Sequence, residues 1–73
     1  MKKKEFTACV NRIRNEEFGI NIHIRKENRG ILSDITMCWQ DRDLQRHTEV
    51  LVTCIANKSF DWFAKCNGWL HAI

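Results

Sequence analysis

Residues 48–56 read TEVLVTCIA, and the fold turns on how they are read. Thr48, Val50, Val52, Thr53 and Ile55 are β-branched, which suits a pleated, half-buried surface. A helix from Asp43 to Asn57 would also align Leu44, Leu51 and Ile55 at helical spacing. The β-branched content tips the balance to a strand, which becomes the third of a small sheet.

The two strands before it are easier to recognise. In INIHIRK, residues 20–26, Ile20, Ile22 and Ile24 alternate with Asn21, His23 and Arg25, the signature of a half-buried strand. ENRG follows, with Asn28 and Gly30 as turn formers, and then ILSDITMCWQ. There Ile35, Met37 and Trp39 share one face, while Thr36, Cys38 and Gln40 share the other. Two strands joined by a short Asn/Gly turn predict an antiparallel hairpin. DRDLQRH, residues 41–47, reads as a loop or a short helical turn.

Helices flank this sheet. Residues 5–17, EFTACVNRIRNEE, place Phe6, Cys9, Val10 and Ile13 within an arc of about 100°, the stripe of a helix lying on a core. Gly19 is expected to stop it, and residues 1–4 to precede it as a flexible basic tail. Near the C-terminus stands SFDWFAKCNGWL, residues 59–70. Ser59 is a good N-cap and Asp61 suits the positive end of the helix dipole. Asp61 and Lys65 form an i,i+4 pair. Asn67–Gly68 reads as the stop, and WLHAI as a short terminal strand with Trp69, His71 and Ile73 on one face. Phe60, Trp62, Phe63, Ala64 and Cys66 span about 200°, twice the stripe a surface helix needs. Such a helix is expected to be covered from two directions, the second layer coming from another chain.

Size and composition limit the function classes. A chain of 73 residues is one domain at most, with a small core. It is 44% hydrophobic and 29% charged, which is globular rather than disordered. Lys2–Lys4 follow Met1, but the apolar stretch of a secretory signal does not come next. A reducing cytoplasm and free thiols at Cys9, Cys38, Cys54 and Cys66 are therefore expected. No run approaches the ~18 apolar residues that cross a bilayer. Net charge is +3, and it is uneven. Residues 1–29 hold eight Lys/Arg against four Glu (+4), and residues 30–73 hold four against five Asp/Glu (−1).

Motifs that carry chemistry are scarce. The cysteines are spaced by 29, 16 and 12 residues, whereas zinc ligands come in close pairs, so the thiols read as small core hydrophobes and no metal is expected. Cys38 and His23 fall on the outward registers of the hairpin and could meet, as any two such residues could. Glu16 with Glu17 and Asp41 with Asp43 are suited to solvation and capping. No glycine-rich phosphate loop and no H-E-x-x-H is present, so neither an enzyme nor a cofactor is expected. The element order helix–strand–strand–strand–helix resembles that of the double-stranded-RNA-binding domain. The resemblance covers element order alone. That family's lysine-rich signature at the start of the last helix falls on NKSFDWFAK, which has Lys58, Asp61 and three rings.

The sequence thus predicts an α+β fold over residues 1–73: an N-terminal helix, an antiparallel sheet of about three strands and an aromatic C-terminal helix. The favoured function is a small non-enzymatic, cytoplasmic regulatory protein that acts through a protein–protein interface or as a homodimer. Its size and style suit an accessory protein of a bacterium or phage. Trp39, Phe60, Trp62, Phe63 and Trp69 are the candidate interface, because Trp and Phe supply large desolvated anchors. The alternative is a nucleic-acid-binding module using Arg12, Arg14, His23, Arg25, Lys26 and Arg29.

Overall fold

The computed structural model describes all of residues 1–73. It is an α+β fold in which two helices cover one face of a three-stranded antiparallel sheet. Helix α1 spans Lys3–Glu16, and strands β1, β2 and β3 span Ile20–Arg29, Leu32–Gln40 and Arg46–Ile55. A 3-10 turn at Ala56–Lys58 leads into α2, Ser59–His71.

Residues 48–56 fall mainly in β3, so the β-branched pattern prevails over the helical spacing. The strand is not regular. Ile35 pairs with Val52 and Thr36 with Val50, so Leu51 is the extra residue of a bulge. Without that bulge, the alternation would put Val50 and Val52 on one face. With it, Val52 joins Ile35 on the helix-covered side and Val50 joins Thr36 on the other.

The core lies between Ile24, Ile35, Met37 and Trp39 of the sheet, Phe6, Val10 and Ile13 of α1, and Cys66 and Leu70 of α2. The rings of Phe6 and Trp69, 5.5 Å apart, tie the helices together. The expected stripe on α1 is buried residue for residue. Its start differs: Lys3 and Lys4 of the expected tail form the first turn, and Met1 packs partly against the core. The Lys2 backbone N–H donates to Glu5 Oε1 at 2.9 Å, which satisfies one of the orphan groups before the first turn.

Gly19 does not supply the left-handed turn after α1. Phe18 does, at φ 53°, and the Gly19 N–H donates to the Ile13 carbonyl at 2.9 Å. Gly19 is needed for space: a Cβ there would overlap Ile13 Cγ2 and stand 2.9 Å from Trp39 Cδ1. Gly30, at φ 61°, makes the tight turn between β1 and β2 as expected.

Helix α2 departs from expectation at both ends. Ser59 is inside the helix, not its cap, because the preceding 3-10 turn has already set its backbone helical. Its buried hydroxyl donates to the Ala56 carbonyl at 2.7 Å. At the other end the helix runs through Asn67–Gly68 to His71, so the terminal strand at Trp69–Ile73 does not form. A glycine inside a helix costs about 1 kcal/mol, less than docking Trp69 on Phe6 and burying Leu70 returns. No helix is long and apolar enough to cross a membrane, and all four cysteines are free.

Candidate functional site

The five candidate interface rings part company in the structure. Trp39 is only 5% exposed and belongs to the core, because it stands on the helix-covered face of the central strand. Trp69 is half-buried against Phe6. Trp62 and Phe63 are half-buried at the edge of the core. Lys65 Nζ sits over the Trp62 ring at 4.6 Å, so it is drawn to the ring and does not pair with Asp61. Phe60 alone stands clear, at 69% exposed. The wide apolar arc is therefore mostly covered by the chain itself.

Phe60 has company that the sequence reading missed. Ile31 in the β1–β2 turn is 79% exposed, and Ile55 at the end of β3 is 57% exposed. Leu32 pairs with Ile55 across the sheet, and the Ala56 N–H donates to the Ile31 carbonyl at 2.8 Å. Phe60 lies in the first turn of α2, just after Ala56. These segments put all four at one end of the sheet, with Leu32 and Ile55 on its helix-free face and Phe60 on the helix that covers the other. A large apolar residue directly after the turn-forming Gly30 was the sequence signal for it.

The candidate basic residues do not form one surface. Arg12 is on the helix side, bonded to Glu17 Oε2 at 2.7 Å and to Glu49 Oε1 at 2.7 Å. Arg14 is exposed on α1. Strand alternation puts Lys26 on the same side as Ile24, opposite to Arg25. Arg29 is on the helix-free face, but it is committed to Asp34, with Nε 2.7 Å from Oδ2. That arginine holds the Asp34 carboxyl below its usual range, helped by the Thr53 hydroxyl. Only His23 and Arg25 of the expected set remain available together on the helix-free face.

These two line a half-open cleft of about 470 Å³. Its floor is a row across the sheet, because His23 pairs with Cys38 and Cys38 with Thr48. Arg25 stands to one side and Arg46 to the other. Asn21 and Gln40 close one end, joined by an Asn21 Nδ2 to Gln40 Oε1 hydrogen bond of 2.8 Å. Trp39 and His47 stack their rings, with centroids 5.5 Å apart, on the opposite, helix-covered face of the sheet. No carboxylate lines it. Glu27 reaches the lining Arg25 at 4.0 Å, and Asp41, beside Gln40, is satisfied by His47 Nε2 at 2.8 Å and by the backbone N–H groups of Asp43 and Gln45. These bonds, that of His47 first, draw its carboxyl below the usual range. Arg46, His47 and Thr48 carry no signal of a site in the sequence: DRDLQRH looks like a loop, though Arg46 and His47 already belong to β3, and TEVLVTCIA shows only its β-branched pattern.

Cys38 and His23 are indeed direct cross-strand partners, yet no hydrogen bond joins them. His23 Nδ1 is engaged with the Asn21 carbonyl at 2.8 Å, and the Cys38 sulfur is within 3.7 Å of the Thr48 hydroxyl. A nucleophile needs a base within hydrogen-bond reach, and this pair does not provide one. No three His, Cys, Asp or Glu side chains come together in a way that could hold a metal ion. The other polar cluster is internal: the Cys9 thiol donates to Glu49 Oε2 at 2.9 Å, beside Arg12. Burial first, then the Glu49 carboxylate, pushes that thiol up to about 11, so Cys9 is inert at neutral pH.

Comparison with known proteins finds no matching family model, no similar curated protein and no similar solved structure.

Proposed function

We propose that this is a small non-enzymatic binding protein that acts by seating its apolar end on another protein. The observation that carries the reading is the exposure of Ile31, Ile55 and Phe60, each more than half exposed, on segments that meet at one end of the sheet. Several large apolar side chains exposed at one end of a small protein mark a surface suited to a partner. Phe60 would be the anchor, with Leu32 extending the patch and half-buried Trp62 and Phe63 flanking it along α2. A second copy of the chain is the other occupant such a patch would accept. Four free thiols favour a reducing compartment, hence the cytoplasm. The size and the lack of a catalytic motif suit an accessory protein of a bacterium or phage.

The test is solution mass by light scattering at low and high salt, followed by capture with wild-type and Phe60→Ser baits. A specific partner, or a dimer, should persist at high salt with the wild type and disappear with Phe60→Ser. Identical behaviour of the two proteins, both folded, would remove the reading.

The alternative, a nucleic-acid-binding module, draws support from the carboxylate-free cleft between Arg25 and Arg46 on the helix-free face. It differs in its salt response. Phosphate contacts release counterions, so binding should weaken steeply between low and high salt.

A further inference from the structure

We propose that the cleft on the helix-free face is a binding site for the phosphate group of a nucleotide-sized ligand. The inference is independent of the apolar end, and concerns the opposite end of the sheet.

Charge carries it first. The cations elsewhere in the molecule that face carboxylates are already matched: Arg12 by Glu17 and Glu49, and Arg29 by Asp34. In the cleft the matching fails. Arg46 has no carboxylate partner, and Arg25 meets only Glu27, at 4.0 Å with both side chains largely exposed. Two arginines from the two edge strands flank the central row with no acidic residue among the lining groups. Arginine presents a planar fork of donors that matches a phosphate, and two forks from opposite sides would hold one from both flanks.

The floor adds neutral polar groups suited to the same ligand. Thr48 offers a hydroxyl, and His23, whose Nδ1–H is held on the Asn21 carbonyl, turns its Nε2 acceptor to a ligand's own hydroxyl or amine. Cys38 is small enough to keep the floor low between them.

Shape sets the size of the ligand. The volume of about 470 Å³ lies in the range of small-molecule sites, roughly 300–1,000 Å³. The rings of His47 and Trp39 stack on the other, helix-covered face and leave the cleft to its polar side chains. The arginines would take the phosphate, and the row His23–Cys38–Thr48 would face the rest of the ligand.

The experiment is a titration of the isotope-labelled full chain with inorganic phosphate, a purine mononucleotide and a short single-stranded oligonucleotide, read by amide shifts. Saturable shifts at His23, Arg25, Arg46 and Thr48 with the mononucleotide, weakened about tenfold or more in Arg46→Gln and in Arg25→Gln, are the expected result. Both arginines are exposed, so both variants should melt with the wild type, and Phe60→Ser should bind the nucleotide unchanged. An oligonucleotide that binds more tightly through the same residues would identify the source of the phosphate as a nucleic acid strand. Equal affinity for it would identify a free nucleotide. Binding of inorganic phosphate as tight as the mononucleotide, absence of saturable shifts, or shifts that survive both arginine substitutions would overturn the proposal.

Discussion

The two helices lie on the same face of the same sheet, but they are attached in different ways. Helix α1 presents a narrow stripe, and Phe6, Val10 and Ile13 disappear completely beneath it. Helix α2 is apolar over twice the arc, yet of its rings none is fully buried, and Cys66 and Leu70 do most of the docking. Width of an apolar arc is therefore no measure of burial. A narrow stripe has one place to go, whereas a wide one divides between the core, the rim and the surface. The sharpest way to break this contrast is Phe6→Ala. It removes the largest fully buried side chain and the ring that holds Trp69. Large-to-small changes of this kind cost about 3–5 kcal/mol, a large part of the stability of a 73-residue chain. Urea denaturation should find Phe6→Ala mostly unfolded in buffer. If it melts like the wild type, α1 is not the main anchor.

Next in size is Gly19→Ala, which tests where α1 meets the sheet. The added methyl has no room beside Ile13 and Trp39, both core residues. Overpacking of this kind costs about 1–3 kcal/mol. Gly68→Ala in α2 is the matching control, since nothing lies within 4 Å of its Cβ position. There the change should stabilise, by up to about 1 kcal/mol of helix propensity. Opposite signs for two glycine-to-alanine changes, measured by thermal melts, would sharpen the contrast; equal signs would break it.

The sequence made the fold legible wherever one period ruled. The 3.6-residue stripe of α1, the alternation at Ile20–Arg25 and Ile35–Gln40, and the β-branched run at 48–56 each locate an element. It failed where tertiary packing outweighed a local signal. Asn67–Gly68 looks like a stop, yet Trp69 and Leu70 pull the helix through it. Gly19 looks like a left-handed cap, but the space beside Trp39 is what requires it. The candidate sites were legible only in part. Phe60, His23 and Arg25 could be named, while Ile31 and Arg46 reach their groups through cross-strand register, which no single window of sequence contains. Whether a ring is core or surface, as with Trp39 and Phe60, depends on what the other elements cover.

A smaller effect separates the thiols of the two helices. Cys9 of α1 and Cys66 of α2 are both buried and both held above the ordinary thiol range, but only Cys9 also faces a carboxylate. A raised folded value means that the stability is fully present below the unfolded thiol value, about 8.5, and is lost as pH rises through the folded one. For Cys9 that window closes near 11. Urea midpoints should therefore fall between neutral and strongly alkaline pH, and fall less in Cys9→Ala. Glu49→Gln should make Cys9 easier to alkylate and leave Cys66 as it was. Equal effects on both thiols would mean that burial alone protects them.

The smallest effect on stability should come from the most apolar-looking feature of α2. Phe60 is 69% exposed, so its ring gives up little contact with the core when removed. Phe60→Ser should shift the folding free energy by no more than about 0.5 kcal/mol, as for other surface changes. Its consequence should appear instead in association, where a desolvated aromatic anchor is worth far more than it is in the isolated chain. A stability loss comparable to that of Phe6→Ala would show that Phe60 is covered in solution, most simply by a second copy of the chain. In that case the loss should itself depend on protein concentration, because a dimer's stability scales with the amount of partner present. Melting the wild type and Phe60→Ser at several concentrations thus distinguishes an open anchor from one already occupied.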